Sequence, residues 1–259
     1  MKEVNTESSR ENLKAQVSQS FSKIALVTGA NRGIGKAIVK GLASAGFTVY
    51  LGARDEVRGK AACADLAPAG HVRFTRIDVT DEVSVRAAAE KIDEDFGLLD
   101  VLVNNAGISG VSPDSIIRTP SELTANDLRV VYETNVYAIV TVTNAFLPLL
   151  RKASAVRIVN VTSKRGSISE EGAWIGQPYM PYSSSKTALN ALTAHYAREL
   201  ANTPIKVNGA APGHVATDFN NFRGSRTPDE GAAVALRLAQ LGPDGPNGQV
   251  FEDAQRLAW

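Results

Sequence analysis

The chain has 259 residues, of which 44% are hydrophobic and 21% are charged, a composition typical of a globular protein with a sizeable core. Its 28 basic and 27 acidic residues leave a net charge of +1, which gives no electrostatic footprint for nucleic acid or an anionic membrane. A single cysteine, Cys63, excludes an internal disulfide, and no apolar run approaches the roughly 20 residues of a membrane span.

The first 22 residues are polar and lack the apolar region of a secretory signal. We therefore expect a flexible extension over 1–22, followed by a dinucleotide-binding and catalytic domain over 23–259. A cytoplasmic enzyme is the expected class.

From residue 23 onward, two kinds of segment alternate. Nearly continuous apolar runs predict strands buried on both faces of a parallel sheet, at 24–28, 48–52, 72–78, 100–105, 156–161, 205–210 and 249–251. The stretches between them predict helices near 34–45, 56–67, 81–95, 124–152, 182–202 and 228–241. This alternation is typical of a single α/β domain of the Rossmann type, with a doubly wound, mainly parallel seven-stranded sheet between two layers of helices.

A glycine-rich turn follows the first strand, in the run "TGANRGIGKAIVKGLASAG". Gly29, Gly33 and Gly35 occur where the strand ends and a helix opens, and glycine lets a pyrophosphate approach backbone N–H groups at a helix N-terminus. A merely tight turn is the structural alternative. The position favours dinucleotide binding, and we expect Arg32 and Ile34 of the same turn to contact the cofactor.

The end of the second strand bears on which dinucleotide binds. An acidic residue there accepts hydrogen bonds from the ribose of NAD, whereas arginine accommodates the 2′-phosphate of NADP. Ala53 occupies the zone of the acidic residue and Arg54 follows it, with Arg32 as a second cation. Two guanidinium groups favour NADP over NAD. Asp55 complicates this interpretation, and the alternative is that Arg54 and Asp55 are surface charges.

Tyr182 and Lys186 are four residues apart in "PYMPYSSSKTALNALTAHYAREL", on a predicted helix. Residues at this spacing share a helix face, so the ammonium group is expected to stabilise the phenolate and lower the pKa of Tyr182. A Tyr-x-x-x-Lys pair alone is a frequent chance match.

Further motifs accompany that pair in a fixed order: "NNAG" at 104–107, "NVYA" with Asn135, "VNVTS" with Ser163, and "PGHVATD" at 212–218. With them the sequence resembles the short-chain dehydrogenase/reductase family, in its single-domain branch, over essentially 23–259. The runs "TGANRGIGKAIVKGL", "LGARDEVRG" and "LDVLVNNAGI" are especially similar to NADPH-dependent carbonyl reductases.

The resemblance implies roles for four side chains. Tyr182 would be the general acid/base, Ser163 would bind the substrate oxygen, and Lys186 would hold the nicotinamide ribose. Asn135 would position a water that relays protons through Lys186. Two alternatives remain: Thr162 and Ser167 compete with Ser163, and Asn135 also suits the repair of backbone hydrogen bonds at a helix distortion.

Further cofactor contacts follow from the same resemblance. Asp78 and Val79 would contact adenine, and Val215 and Thr217 would hold the nicotinamide amide. The motif 104–107 would line the cofactor through Asn105, Ala106 and Gly107. The histidines, at His71, His195 and His214, lack metal-ligand spacing, and no metal is expected.

The sequence departs from the family pattern between Ser163 and Tyr182, which are 19 positions apart. This gap contains Trp174, Ile175 and Tyr179, and together with Phe219 they indicate an apolar pocket. The family motif's usual glycine is replaced by Ala138.

The resulting hypothesis is an NADP-dependent oxidoreductase that acts on small carbonyl or secondary alcohol substrates. A 3-oxoacyl-carrier-protein reductase is the alternative within the enzyme class, and it requires a cationic patch near the pocket. A non-catalytic dinucleotide-sensing protein is the alternative from another class. Apolar residues on several faces of the helices at 124–152 and 182–202 favour a homodimer or homotetramer.

Overall fold

The structure of the protein is a computed structural model, and it describes residues 22–110, 118–175 and 179–259. Within them, eight strands form one sheet in the order β3-β2-β1-β4-β5-β6-β7-β8, and every neighbouring pair is parallel except β7 and β8. The strands are β1 (Ile24–Val27), β2 (Thr48–Ala53), β3 (Val72–Arg76), β4 (Val101–Asn104), β5 (Val156–Val161), β6 (Ile205–Ala211), β7 (Val250–Glu252) and β8 (Gln255–Arg256).

Helices follow most of the strands and cover both faces of the sheet. They are α1 (Gly33–Ser44), α2 (Glu56–Leu66), α3 (Glu82–Phe96), α4 (Ala125–Tyr132), α5 (Ala138–Leu150), α6 (Met180–Glu199) and α7 (Pro228–Ala239). A π turn, Glu133–Tyr137, joins α4 to α5, and a 3-10 turn, Lys164–Gly166, follows β5. Among the described helices, none has the length and apolar character needed to cross a membrane.

The predicted fold class is confirmed: the seven expected parallel strands are present in a doubly wound sheet. Two details differ from the sequence prediction. The single helix expected over 124–152 is interrupted by the π turn, and the two-residue strand β8 adds an antiparallel edge. The extension expected at 1–22 lies outside the described residues except for its last position.

Two hydrophobic clusters fill the layers on either side of the sheet. One includes Ile38 of α1, Leu66 of α2 and Leu238 of α7, and the other includes Ile92 of α3 and Phe146 of α5. Since both faces are covered, the residues of β1, β2, β4, β5 and β6 are almost all buried, and this is why their sequences are continuous apolar runs. The carboxyl ends of β1, β4, β5 and β6 meet along one edge, where ligands bind in open α/β sheets.

Candidate active site

The glycine-rich turn packs against the residues that follow β4. A Cβ added at Gly29 would lie 2.8 Å from the Cα of Ala106, and Gly29 has a φ of +63° that favours glycine. A Cβ added at Gly35 would lie 2.4 Å from Nδ2 of Asn105 and 2.8 Å from the carbonyl oxygen of Gly29. Glycine at these two positions is therefore a requirement of the close packing.

Asn105 and Ala106 are held against this turn by hydrogen bonds. Nδ2 of Asn105 donates to the carbonyl oxygens of Thr28 (2.8 Å) and Gly29 (3.1 Å). The backbone N–H groups of Asn105 and Ala106 donate to Oγ1 of Thr28, at 3.0 and 3.1 Å. The "NNAG" segment thus braces the turn.

The N-terminus of α1 has the properties of an anion site. Its N-cap, Arg32, makes no side-chain cap hydrogen bond, and its first turn contains no acidic residue. By contrast, Asp55 caps α2 and Asp81 caps α3 through their carboxylates. Since the first N–H groups of α1 lack such an acceptor and adjoin Gly33, the residues present fit the pyrophosphate of a dinucleotide.

The two arginines that were expected to bind a 2′-phosphate follow β2 and precede α1. Arg54 is exposed, and the guanidinium of Arg32 lies 3.7 Å from the carboxylate of Asp218. Asp55 is engaged with Arg58, which donates its backbone N–H (2.9 Å) and its Nε (2.7 Å) to the Asp55 carboxylate. These hydrogen bonds lower the pKa of Asp55. The carboxylate thus serves as the N-cap of α2.

The remaining expected cofactor residues lie at or beyond the ends of strands. Asp78 follows β3, where Oδ1 accepts hydrogen bonds from the N–H (3.1 Å) and hydroxyl (2.8 Å) of Thr80. Val79 is partly buried against the core. Val215 is buried beyond β6, and the Cγ2 of Thr217 lies 3.3 Å from the Cβ position of Gly33.

Asn135 lies fully buried in the π turn between α4 and α5. Its Oδ1 accepts from the N–H of Ile108 (2.9 Å), and its Nδ2 donates to the carbonyl oxygen of Ile108 (2.9 Å) and to Oγ of Ser185 (3.0 Å). The side chain therefore does satisfy backbone groups near a helix distortion, the structural role weighed from the sequence. That role coexists with a place in the site.

Gly107 separates Asn135 from Lys186. A Cβ at this position would lie 3.3 Å from Oδ1 of Asn135 and 3.6 Å from Nζ of Lys186. The two polar groups thus border the same small space, which lies beside the catalytic helix α6. This is the space in which a relaying water is expected.

Lys186 is only 5% exposed, and its Nζ donates a hydrogen bond of 2.9 Å to the carbonyl oxygen of Val161. Nζ lies 5.7 Å from the centroid of the Tyr182 ring. Burial lowers the pKa of Lys186 to about 8, because the charged ammonium has lost solvation. The buried lysine therefore loses its proton at a lower pH than an exposed lysine does.

Tyr182 does not have the lowered pKa that its spacing from Lys186 led us to expect. Burial raises the pKa of Tyr182, and the opposing influences are hydrogen bonding with Ser163 and the positive charge of Arg165. Nζ of Lys186 donates its hydrogen bond to Val161.

The serines between Tyr182 and Lys186 bind backbone. Ser184 donates to the carbonyl oxygen of Met180 (2.7 Å), and Ser185 donates to that of Tyr182 (2.7 Å) while accepting from Asn135. Ser185 thereby ties the π turn to α6.

Three of the four aromatic and apolar residues expected in the pocket are substantially exposed. Trp174 is 69% exposed, Ile175 is 74% exposed and Phe219 is 45% exposed. The Phe219 ring lies 5.5 Å from the Tyr182 ring, centroid to centroid. Trp174 and Ile175 belong to the segment after Ser163, in which residues 176–178 lie outside the described part of the chain.

The short-chain dehydrogenase family model matches residues 23–227. The chain belongs to this family. It is an oxidoreductase of the short-chain dehydrogenase type, and the glycine turn, the "NNAG" segment and the helix with Tyr182 and Lys186 lie within the matched residues.

Two curated relatives cover nearly the whole chain. The short-chain dehydrogenase anuI of Penicillium roqueforti (strain FM164) is 37% identical over 249 residues, which cover 90% of this chain and 95% of the relative. Carbonyl reductase (NADPH) 3 of Mus musculus is 33% identical over 286 residues, covering 93% of this chain and 99% of that one.

A solved structure has the same fold. The NADPH-bound carbonyl reductase from chicken fatty liver superposes with a TM-score of 0.81 at 29% identity, covering 92% of this chain and 99% of that one. Relatives of this kind support a nicotinamide dinucleotide as the cofactor of this short-chain dehydrogenase.

Sequence reasoning missed three side chains of this site: Thr28, Ser185 and Arg165. The available signal for Thr28 was a hydroxyl at the end of the first predicted strand, and for Ser185 it was the position directly before Lys186. Arg165 is two positions after Ser163 in "VTSKRGS", where a charge so near the expected active serine was the available signal.

Proposed function

We propose that this protein is an NADP-dependent carbonyl reductase, with Tyr182 as its general acid/base. The observation that supports this most is the convergence of Asn135, Gly107 and Lys186 beside α6, with Ser163 interacting with the phenol of Tyr182. These are the groups that proton transfer to a carbonyl oxygen requires.

The glycine turn after β1 and the residues beyond β4 would hold a nicotinamide dinucleotide, which would supply the hydride for the carbonyl carbon. The hydroxyls of Ser163 and Tyr182 bind the substrate oxygen, and Tyr182 gives it a proton. In the reverse direction, the Tyr182 phenolate removes the alcohol proton. Lys186 and Asn135 border the space through which that proton exchanges with water.

The preference for NADP rests on the cations around the ribose side of the site. Arg54 is exposed directly after β2 and Arg32 precedes α1, while the carboxylate of Asp55 accepts hydrogen bonds from Arg58; these features support the proposed preference. We expect tighter binding of NADPH than of NADH, to be measured as dissociation constants for the two coenzymes.

The 3-oxoacyl-carrier-protein reductase alternative gains no support from the charges around the pocket. Lys164 lies 3.4 Å from Glu252, and Arg226 lies 2.6 Å from Asp253. These pairs reduce the positive patch that an acidic carrier would need.

The test of the proposed function is the Tyr182→Phe variant, assayed by NADPH consumption with a panel of aliphatic, aromatic and cyclic ketones. Loss of the acid should lower kcat by about a hundredfold or more while NADPH still binds. Unchanged turnover by this variant would refute the proposal.

A homodimer or homotetramer remains part of the proposal. Val130 on α4 and Tyr137 in the π turn are 53% and 52% exposed, and they suit burial against a second subunit. Light scattering measures this state directly.

A further inference from the structure

Arg165 lies in the 3-10 turn that starts directly after Ser163. Its backbone N–H donates to Oγ of Ser163 at 3.2 Å, so the turn and the active serine form one unit. The turn also presses on α6: a Cβ added at Gly166 would lie 2.7 Å from the backbone carbonyl carbon of Lys186. The backbone around Arg165 is therefore fixed relative to the catalytic helix.

The Arg165 side chain extends along the first turn of that helix. The guanidinium carbon lies 5.5 Å from the centroid of the Tyr179 ring, and Nη2 donates to the carbonyl oxygen of Ile175 at 2.9 Å. Tyr179 is three residues before Tyr182, and Lys186 is four residues after it. The turn thus has contacts on both sides of the active phenol.

The two cations near Tyr182 differ in how long they keep their charge as the pH rises. Lys186 has a pKa of about 8, so above that pH more than half of its side chains are neutral. A guanidinium stays protonated throughout this range. In the alkaline range, where a phenolate is needed for alcohol oxidation, the permanent cation is Arg165.

The electrostatic environment of the phenol agrees with this placement. The charge of Arg165 acts to lower the pKa of Tyr182, against the larger effect of burial. Other charged groups on the described elements packed against α6 are Asp127 and Arg129 on α4, Glu133 in the π turn, Lys164 beside Arg165, Lys206 on β6 and Asp218 in the Phe219 loop. Lys164 is paired with Glu252, Asp127 with Arg118 and Asp218 with Arg32.

We propose that Arg165 is a positioning residue which supplies the lasting positive charge beside Tyr182, a role that the sequence pattern assigned to Lys186. This inference rests on the proposed function, because it concerns the acid/base of that reaction. Arg165 itself donates no proton: it stabilises the phenolate left after Tyr182 protonates the substrate oxygen, and the same phenolate before it accepts an alcohol proton.

The experiment is the pH profile of kcat/KM for alcohol oxidation by wild type, Arg165→Met and Arg165→Lys. Removing the charge should move the acidic limb upward by about one pH unit, which is about a tenfold loss of rate on that limb. Arg165→Lys should retain most of the wild-type profile. Phenolate absorbance in the near ultraviolet, taken as a difference from Tyr182→Phe, should show the same shift without turnover.

Lys164→Met is the matched control, since it removes the neighbouring cation that pairs with Glu252, and its profile should coincide with wild type. Should Arg165→Met fail to fold, Arg165→Gln carries the same expectation because it keeps polar groups and loses the charge.

Two results would overturn the proposal: an unshifted Arg165→Met profile, or an Arg165→Lys profile shifted as far as that of Arg165→Met, since the second outcome marks a loop anchor that needs the guanidinium shape. Full activity of Tyr182→Phe would instead remove the proposed function itself. An inactive Tyr182→Phe beside an unshifted Arg165→Met overturns the role of Arg165 alone.

Discussion

The buried ammonium of Lys186 should lower the free energy of unfolding of the protein. Its ammonium is buried with a hydrogen bond to Val161, and its pKa falls from an ordinary 10.5 to about 8. Each unit of pKa difference corresponds to about 1.4 kcal/mol, so the folded state is disfavoured by about 3 kcal/mol wherever the lysine is fully charged. The Lys186→Met variant removes this penalty and loses one hydrogen bond, which contributes about 1 kcal/mol.

The net expectation at pH 7 is therefore a gain of about 2 kcal/mol in the free energy of unfolding, or about 5 °C in Tm for a chain of this size. The sign depends on pH. Below the folded pKa of about 8, the whole penalty is present in the wild type, because both the folded and the unfolded lysine are charged. Between about 8 and 10.5 the folded lysine is neutral while the unfolded one still binds a proton, so the wild type recovers stability as the pH rises.

Urea unfolding of both proteins at pH 7 and pH 9.5, without coenzyme, measures this difference. We expect the advantage of Lys186→Met to shrink at the higher pH. Lys206→Met, at a partly exposed lysine on β6, is the matched control and should show no such pH dependence. A Lys186→Met variant that is less stable than wild type at pH 7, or whose advantage is the same at both pH values, would refute the reasoning.

Three other changes have expected outcomes. Arg157→Met should lower the free energy of unfolding by about 3 kcal/mol in urea titrations, because the buried guanidinium donates to the carbonyl oxygens of Leu241 (2.9 and 2.6 Å) and Val156 (2.6 Å). Exposed Arg86→Met is the control, and an Arg157→Met variant as stable as wild type would contradict this reasoning. Gly35→Ala should weaken dinucleotide binding more than about tenfold in calorimetric titrations, since the added Cβ would lie 2.4 Å from Asn105 and 2.8 Å from the Gly29 backbone. Gly242→Ala is the control and should bind the dinucleotide normally, because a Cβ at Gly242 would have no atom within 4 Å. Arg32→Ala and Arg54→Ala should each raise the Kd for NADPH about tenfold or more and leave that for NADH unchanged, with exposed Arg86→Ala as the control; an equal loss for both coenzymes would disprove the 2′-phosphate role.

The sequence predicted the sheet and its helices because strands buried on both faces must be apolar throughout. The runs at 24–28 and 156–161 correspond to β1 and β5 for this reason. The strand β8 was not predictable, since its two residues are exposed and have no pattern. The π turn itself was not predicted, because apolar residues on several faces of this helix hide the change of phase that one extra residue causes; only Asn135 pointed to a helix distortion.

Spacing alone could place Lys186 on the same helix face as Tyr182, and the structure has it there. Spacing could not predict which group the Nζ atom of such a long, flexible side chain contacts. The carbonyl oxygen of Val161 comes from a strand 25 positions earlier, and the burial that changes the lysine's pKa depends on tertiary packing. Likewise, the backbone at Arg165 is positioned by the close contact of Gly166 with α6. This is a contact between distant elements, which no local sequence pattern predicts.

The π turn of Glu133–Tyr137 takes up one residue more than a regular helical turn. Deleting that residue would restore a regular helix, which by itself is the more favourable backbone, and would leave α4 and α5 in their present register. Phe146 and Leu150 would then keep their places in the core. Asn135, by contrast, would lose the wide turn from which its side chain reaches both Ile108 and Ser185. The irregularity thus serves the site rather than the packing of α5.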